Sequence, residues 1–341
     1  MNEQLFFNIR NIMRGFFLTT SVSILLFCFP SVVAATNGDY DGDGKTDFVL
    51  VRNSSGNTNG QLTWYIKPAN GGIQSILDWG LSLDVPVQGD FDGDNKTDVA
   101  IWRSGNPLTA AFYILQSSNG AFRIDVFGKM GDDPTIVNDF DGDGKTDVAV
   151  YRSGIAQGGQ SFFYYRGSLN NPNGNITFIP YGTSGDFAFT GYFDNDNKAD
   201  FGIQRNYDSQ SHALIFQKQS NSSDTVSFYG LSTDLLAPGD YDGDGKTDLT
   251  IVRREAFGNL YWYIRRSSDG NMIVISWGLA DGDYICQGDY DGDGKTDVAI
   301  WRPDLDVGMN YFYVLESATG TLLISEWGIM SDYPVSNYNI H

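Results

Sequence analysis

The chain runs to 341 residues with two cysteines and two histidines. Cys28 lies in an N-terminal apolar segment, so the remainder keeps Cys286 alone and has no intramolecular disulfide to staple it. The histidines, His212 and His341, sit in no repeated or motif context, and there is no Gly-x-Ser-x-Gly elbow, zinc spacing or phosphate-cradling loop. No catalytic motif is visible, and the chain reads as a non-enzyme. Basic residues are scarce as well: 22 Lys and Arg face 42 Asp and Glu, a net charge of -20, with no basic cluster to displace counterions from nucleic acid. Helical periodicity is missing beyond the first 35 residues, which points to an all-β chain.

The N-terminal 35 residues differ from the rest. Arg10 and Arg14 precede an apolar run from Phe16 to Phe29, followed by Pro30 and the small residues Ala34 and Ala35. This pattern predicts a secretory signal peptide over 1–35, cleaved after Ala34 or Ala35, and a mature chain that is secreted, extracellular or held at the cell surface. The run falls short of the roughly 20 residues that span a bilayer, so no membrane span is expected in the mature chain. Bulky Phe27 before Cys28 argues against a lipid anchor.

What the chain has in abundance is one acidic loop. Gly-Asp-Tyr-Asp-Gly-Asp-Gly-Lys-Thr-Asp begins at Gly38, and counting Asp39 as position 1 puts carboxylates at positions 1, 3, 5 and 9 with Gly44 at 6. A hard cation such as Ca²⁺ takes six to eight oxygens, and alternate residues of a tight loop can converge on it, with the position-7 carbonyl adding another. Gly44 permits the positive φ that turns the chain back around the ion. An acidic surface turn is the bland alternative, but solvated turns have no reason to keep the 1, 3, 5, 9 spacing, and this one recurs. Loops start at Asp39, Asp90, Asp139, Tyr192, Asp240 and Asp289, about fifty residues apart. Six bound Ca²⁺ would add 12 charges, and -20 + 12 = -8, so much of the acidity is site chemistry.

Each loop leads into an apolar strand ending in arginine: 48–52, 99–103, 148–152, 201–205, 249–253 and 298–302. An aromatic strand follows, then a Ser/Asn/Gly turn and a third strand ending in an aromatic-glycine pair: Trp79-Gly80, Phe127-Gly128, Tyr181-Gly182, Tyr229-Gly230, Trp277-Gly278 and Trp327-Gly328. A fourth strand leads into the next loop. Four short antiparallel strands per fifty residues is the size of one propeller blade, so the spacing predicts a six-bladed β-propeller over 36–341. The expected cleavage at Ala34 or Ala35 would leave almost nothing before the first loop, while the C-terminal Tyr333-Pro334-Val335-Ser336 resembles Val85-Pro86-Val87-Gln88. The C-terminal strand is therefore expected to complete the first blade.

The loop between two strands, with the apolar run after it, resembles the FG-GAP and VCBS-type repeats of the integrin α-subunit propeller family across essentially the whole mature chain. The resemblance implies Ca²⁺ in the hairpin between the first two strands of a blade. Carried over residue by residue, the ligands would be Asp39, Asp41, Asp43, Asp47 and the Lys45 carbonyl in the first loop; Asp90, Asp92, Asp94, Asp98 and Lys96 in the second; Asp139, Asp141, Asp143, Asp147 and Lys145 in the third. The fifth loop offers Asp240, Asp242, Asp244, Asp248 and Lys246, and the sixth Asp289, Asp291, Asp293, Asp297 and Lys295. The second has Asn95 at the bend, which tolerates the left-handed conformation. The fourth retains Asp194, Asp196, Asp200 and Lys198 but places Tyr192 where the first carboxylate belongs, so five to six cations are expected, with this site weak or empty. The family's propeller has seven blades and this chain six repeats, so the likeness is to the blade. An EF-hand is excluded, because its position-12 glutamate is replaced by Leu50, Ile101, Val150, Ile203, Ile251 or Ile300.

The chain is read as a monomeric binding or adhesion module for an extracellular protein or glycan, and its acidity argues against a nucleic-acid partner. A polysaccharide-active enzyme or lectin on the same scaffold is the rival. Glu255, Glu316 and Glu326 are the glutamates open to such chemistry, with solvated surface as their plainer role. The repeated arginine reads as structural, its stem between blades and its guanidinium on an aromatic, and the aromatic-glycine pair reads as inter-blade core. Tyr207, Tyr261 and Tyr311, which break the repeat, are the better candidates for ligand contact.

Overall fold

A computed structural model describes residues 38–255, 258–304 and 310–336; the expected signal segment lies outside them. The described chain is all-β and forms six small antiparallel sheets, the blades of a propeller. From the inner strand outward, blade 1 comprises Tyr333–Pro334, Phe48–Asn53, Gln61–Lys67 and Ser75–Leu81, and blade 2 Val85–Gly89, Asp98–Arg103, Ala111–Leu115 and Phe122–Val126. Blade 4 comprises Phe187–Gly191, Asp200–Asn206, His212–Lys218 and Thr225–Leu231; blade 5 Leu235–Leu236, Leu249–Arg254, Asn259–Arg265 and Met272–Leu279; blade 6 Tyr284–Ile285, Val298–Arg302, Tyr311–Leu315 and Leu322–Glu326. Blade 3 has three full strands, Val148–Arg152, Gln160–Arg166 and Thr177–Thr183. Its inner edge is reduced to bridges between Asp133 and Tyr151 and between Asn138 and Asp147.

The expected closure is present. Tyr333 and Pro334 pair with Val51 and Leu50 in the register that Val85 and Pro86 take against Trp102 and Ile101. Val335, next along, is fully buried. Where blade 2 then continues to Gly89 opposite Asp98, blade 1 uses Gly38, whose carbonyl accepts the Asp47 N–H at 2.8 Å. The inner strand of blade 1 is thus shared between the two ends of the chain, which leaves no open sheet edge at the seam.

Alternation along each second strand sends side chains into the cores on both faces of the blade, where Leu50, Ile101, Val150, Ile203, Ile251 and Ile300 are almost wholly buried. The aromatic-glycine pair belongs to this inter-blade packing, as expected. Trp79, Trp277 and Trp327 donate Nε1–H, and Tyr229 its hydroxyl, to the carbonyls of Tyr113, Tyr313, Tyr65 and Tyr263 in the next blade. Glycine follows because the strand bulges there at positive φ, and a Cβ on Gly80 would meet Ile101 of blade 2 at 3.1 Å.

The repeated arginines carry a partner that sequence reasoning missed. Each stacks on an aromatic of its own blade, as Arg52 does on Tyr65 at 4.1 Å, and each also forms a two-pronged pair with a buried aspartate just before the inner strand. Arg103, Arg152, Arg205, Arg253, Arg302 and Arg52 take Asp84, Asp132, Asp186, Asp234, Asp283 and Asp332. The same aspartate accepts a backbone N–H from the bulge, as Asp84 does from Leu81 at 2.7 Å. These guanidiniums are therefore neutralised in place and do not form an anion-binding ring.

Candidate metal centre

The six acidic loops connect the inner and second strands of their blades, where the resemblance placed them. In five, the position-1 aspartate ties the loop to itself: Asp39 accepts the Gly42 N–H on Oδ1 at 2.6 Å and the Gly44 N–H on Oδ2 at 2.8 Å, and Asp90, Asp139, Asp240 and Asp289 repeat the pattern. The position-6 residue takes the left-handed conformation it requires, including Asn95 at φ 65°.

A second turn of the same blade, between its third and outer strands, orients the remaining carboxylates. At position 9, Oδ2 accepts the position-2 N–H, and Oδ1 accepts an N–H from that turn: Ala69 for Asp47, Ser117 for Asp98, Ser168 for Asp147, Ser220 for Asp200, Ser267 for Asp248 and Ser317 for Asp297. The serine hydroxyls reach the position-5 aspartates as well, as Ser117 reaches Asp94 at 2.9 Å and Ser267 reaches Asp244 at 2.8 Å. In the second and third loops the position-3 carboxylate is held through Oδ2, Asp92 by Ser118 and Asp141 by the Leu169 and Asn170 N–H groups, whereas Asp41, Asp194, Asp242 and Asp291 also accept the position-5 N–H on Oδ1. Sequence reasoning saw a polar turn here and gave it no role. The signal was available, since a serine recurs 19 to 21 residues after position 9 in five repeats.

Oxygens of Asp39, Asp41 and Asp43, of Asp90, Asp92 and Asp94, of Asp139, Asp141 and Asp147, of Asp240, Asp242 and Asp248, and of Asp289, Asp291 and Asp297 each converge within 4.8 Å. The fourth loop shows no such group, in line with its missing carboxylate. Two position-3 oxygens, Asp92 Oδ1 and Asp141 Oδ1, are buried without a hydrogen-bond partner. A buried, unsatisfied carboxylate oxygen is costly, and a divalent cation among these groups would satisfy both the oxygen and the crowded charge. The protonation energetics agree. Burial, reinforced by neighbouring aspartates, pushes Asp47 up to about 7, Asp147 to about 8, and Asp98, Asp248 and Asp297 to about 6. Asp200, beside Asp194 in the fourth loop, rises to about 6. Burial also raises the position-1 aspartates, against the lowering effect of their backbone donors.

The loops also join the blades. Thr97 donates its N–H to the Asp39 carbonyl, Thr146 to Asp90, Ala199 to Asp139, Thr247 to Tyr192, Thr296 to Asp240 and Thr46 to Asp289, each at 2.6 or 2.7 Å. Six such bonds close a ring, each loop holding its predecessor. The glycine before a loop leaves room for that threonine: a Cβ on Gly89 would lie 2.4 Å from Thr146, and one on Gly239 2.6 Å from Thr296. Position-7 lysines cross the same joints, and Lys96 donates Nζ–H to the Asp41 carbonyl at 2.8 Å.

At the joint between the third and fourth loops, several of these rules change together. Asn138 replaces the glycine, Ala199 replaces the threonine that would collide with it, and Tyr192 donates its hydroxyl to Asn138 Oδ1 at 2.9 Å. Asn138 in turn donates Nδ2–H to Thr190 Oγ1 at 3.2 Å.

The model for the FG-GAP-like repeat matches residues 39–101 and 240–300, the first loop through the second strand of blade 2 and the fifth loop through that of blade 6. No curated protein matches the chain in sequence. Among solved structures, TolB from Acinetobacter baumannii is similar with a TM-score of 0.52 at 16% identity, over 86% of this chain and 66% of that one. AofleA from Arthrobotrys oligospora is similar with a TM-score of 0.51 at 9% identity, over 81% of each. At these identities the likeness is one of fold. The chain is thus a six-bladed propeller that carries FG-GAP-like repeats over residues 39–101 and 240–300.

Proposed function

We propose that the chain is an extracellular, calcium-loaded propeller that acts as a non-enzymatic binding module. The observation that carries this reading is the convergence of carboxylate oxygens in five loops, with Asp92 Oδ1 and Asp141 Oδ1 buried and unsatisfied. Ca²⁺ would be held by the position-1, 3, 5 and 9 aspartates with the position-7 carbonyls of Lys45, Lys96, Lys145, Lys246 and Lys295, and least well by Asp194, Asp196, Asp200 and Lys198. The bound ion supplies neutralisation and fixed coordination. The protein's own groups do the rest: the position-1 carboxylate shapes the loop, the serine turn aims the others, and the threonine N–H passes rigidity to the next blade. Because binding favours the folded chain alone, the ions add to stability by mass action. The extracellular assignment rests on the N-terminal 1–35 pattern, and among the described residues no helix is long and apolar enough to cross a membrane.

Calcium calorimetry on the chelated protein tests the metal. About five sites are expected, at the weak extracellular end of about 10⁻⁴ to 10⁻³ M; absence of binding would sink the reading. Ligand capture on a glycan array and an extracellular-protein array, run beside a reducing-sugar release assay, tests the module. Binding without turnover is expected, and turnover of any polysaccharide would refute the non-enzymatic reading.

A further inference from the structure

The groove between blades 4 and 5 departs from the repeat. It holds a cavity of about 500 Å³ whose lining includes His212, Phe228, Tyr229, Arg253 and Tyr263. His212 stands opposite Leu231, in the register that Gln61 takes opposite Leu81. Gln61 and Gln160 donate their side-chain amides to the carbonyls of Gly80 and Gly182 in their own blades. The imidazole makes a different contact, with Nδ1 lying 2.7 Å from Asp208 Oδ2. Asp208 Oδ1 accepts the N–H groups of Gln210 and His212, so one carboxylate fixes both the hairpin and the ring. Nε2 is the ring nitrogen left for a ligand.

Phe228, Arg253 and Tyr263 line the cavity, and Tyr207 and Glu255 flank it through contacts with those residues. Phe228 is 64% exposed and Tyr207 58% exposed, and their rings meet edge to face at 4.9 Å and 84°. Across the groove, Arg253 gives Nε and Nη2 to Asp234, while its Nη1 lies 4.0 Å from Glu255 Oε1, which also accepts the Tyr263 hydroxyl at 3.3 Å. A donor and an acceptor thus stand side by side, the arrangement that meets adjacent hydroxyls. Asp234 already balances Arg253, and Asp208 and Glu255 add negative charge, so the groove disfavours anions. Exposed aromatic faces beside paired, charge-balanced polar groups suit a ligand with an apolar C–H face and neutral hydroxyls.

We propose that the groove between blades 4 and 5, with His212, Tyr207, Phe228, Arg253 and Glu255, is a binding subsite for a neutral hexopyranose residue of a glycan. This rests on the binding-module reading and gives that module its ligand class.

Saturation-transfer NMR and calorimetry with methyl glycosides of neutral hexoses, on the calcium-loaded chain, test it. A glycoside binds; Tyr207→Ala weakens it by about tenfold, and His212→Gln, which installs the residue of blades 1 and 3, by about three- to tenfold. Melting temperatures of both variants stay near that of the parent. Ile76→Ala, on the exposed outer strand of blade 1, leaves binding unchanged. Glycoside binding indifferent to both groove variants, or no glycoside binding at all, overturns the subsite. The two readings fail separately, because release of reducing ends overturns the non-enzymatic module instead.

Discussion

The loops at 139–147 and 192–200 occupy the same place in adjacent blades, yet they do different chemistry. The third gathers carboxylates, with Asp141 Oδ1 buried and unpaired. The fourth begins with a tyrosine whose hydroxyl reaches back to Asn138. Both nevertheless keep the backbone bond to the neighbouring loop, Ala199 to Asp139 and Thr247 to Tyr192, at 2.7 Å each. The joint between blades is thus the constant element, kept beside either type of loop. Loss of a carboxylate at Tyr192 is compensated at Asn138 and Ala199, two positions in neighbouring blades that are distant in sequence and adjacent in space.

Removing calcium should break this comparison most strongly. At calcium about tenfold above Kd, five sites contribute roughly 1.4 kcal/mol each, so chelation should lower Tm by about 10 °C or more. Calorimetry with and without chelator reads this, and identical curves with metal confirmed absent from the chelated sample would refute it. In the same preparations Asp141→Asn should reduce bound calcium by one, while Asp194→Asn leaves the count unchanged, as measured by elemental analysis.

A second test concerns what blades share regardless of loop type. Asp84→Ala in blade 2 and Asp186→Ala in blade 4 each strip a partly exposed guanidinium of a buried partner. Each should cost about 2 kcal/mol, below the roughly 3–5 kcal/mol of a fully buried pair. Urea denaturation that shows one costly and the other silent would mean that the pairs depend on the loops.

The compensated joint gives a sharper one. Ala199→Thr alone should cost about 1–3 kcal/mol, because the methyl and hydroxyl enter space taken by Asn138. Adding Asn138→Gly should restore much of the loss, and strict additivity of the two costs would show that the residues do not share that space. The smallest effect is expected from Tyr192→Phe, which removes one hydrogen bond worth about 1 kcal/mol while keeping the ring; no change in the denaturation midpoint would remove that bond from the account.

Much of this was legible in one dimension because a repeat writes the same local physics six times. The 1, 3, 5, 9 spacing located the loops, the fifty-residue period gave the blade count, and the likeness of Tyr333-Pro334-Val335-Ser336 to Val85-Pro86-Val87-Gln88 revealed the seam. The fourth loop's lack of a converging carboxylate group followed from Tyr192 alone. Other features were repeated but went unread. Asp84 and its five counterparts precede each inner strand, and a serine follows each of five loops by 19 to 21 residues, yet their roles depend on partners in other strands.

The sequence by itself determined the blade, its loop and the number of copies, because strand alternation, turn chemistry and ligand spacing are local properties of consecutive residues. Tertiary structure alone decided how the copies hold one another. Ring closure through the threonine N–H groups, the replacement of a glycine-threonine contact by Asn138 and Ala199, and the cavity between blades 4 and 5 all depend on the distance between residues of different blades, roughly 25 or more positions apart. That distance is set by packing twisted sheets around an axis.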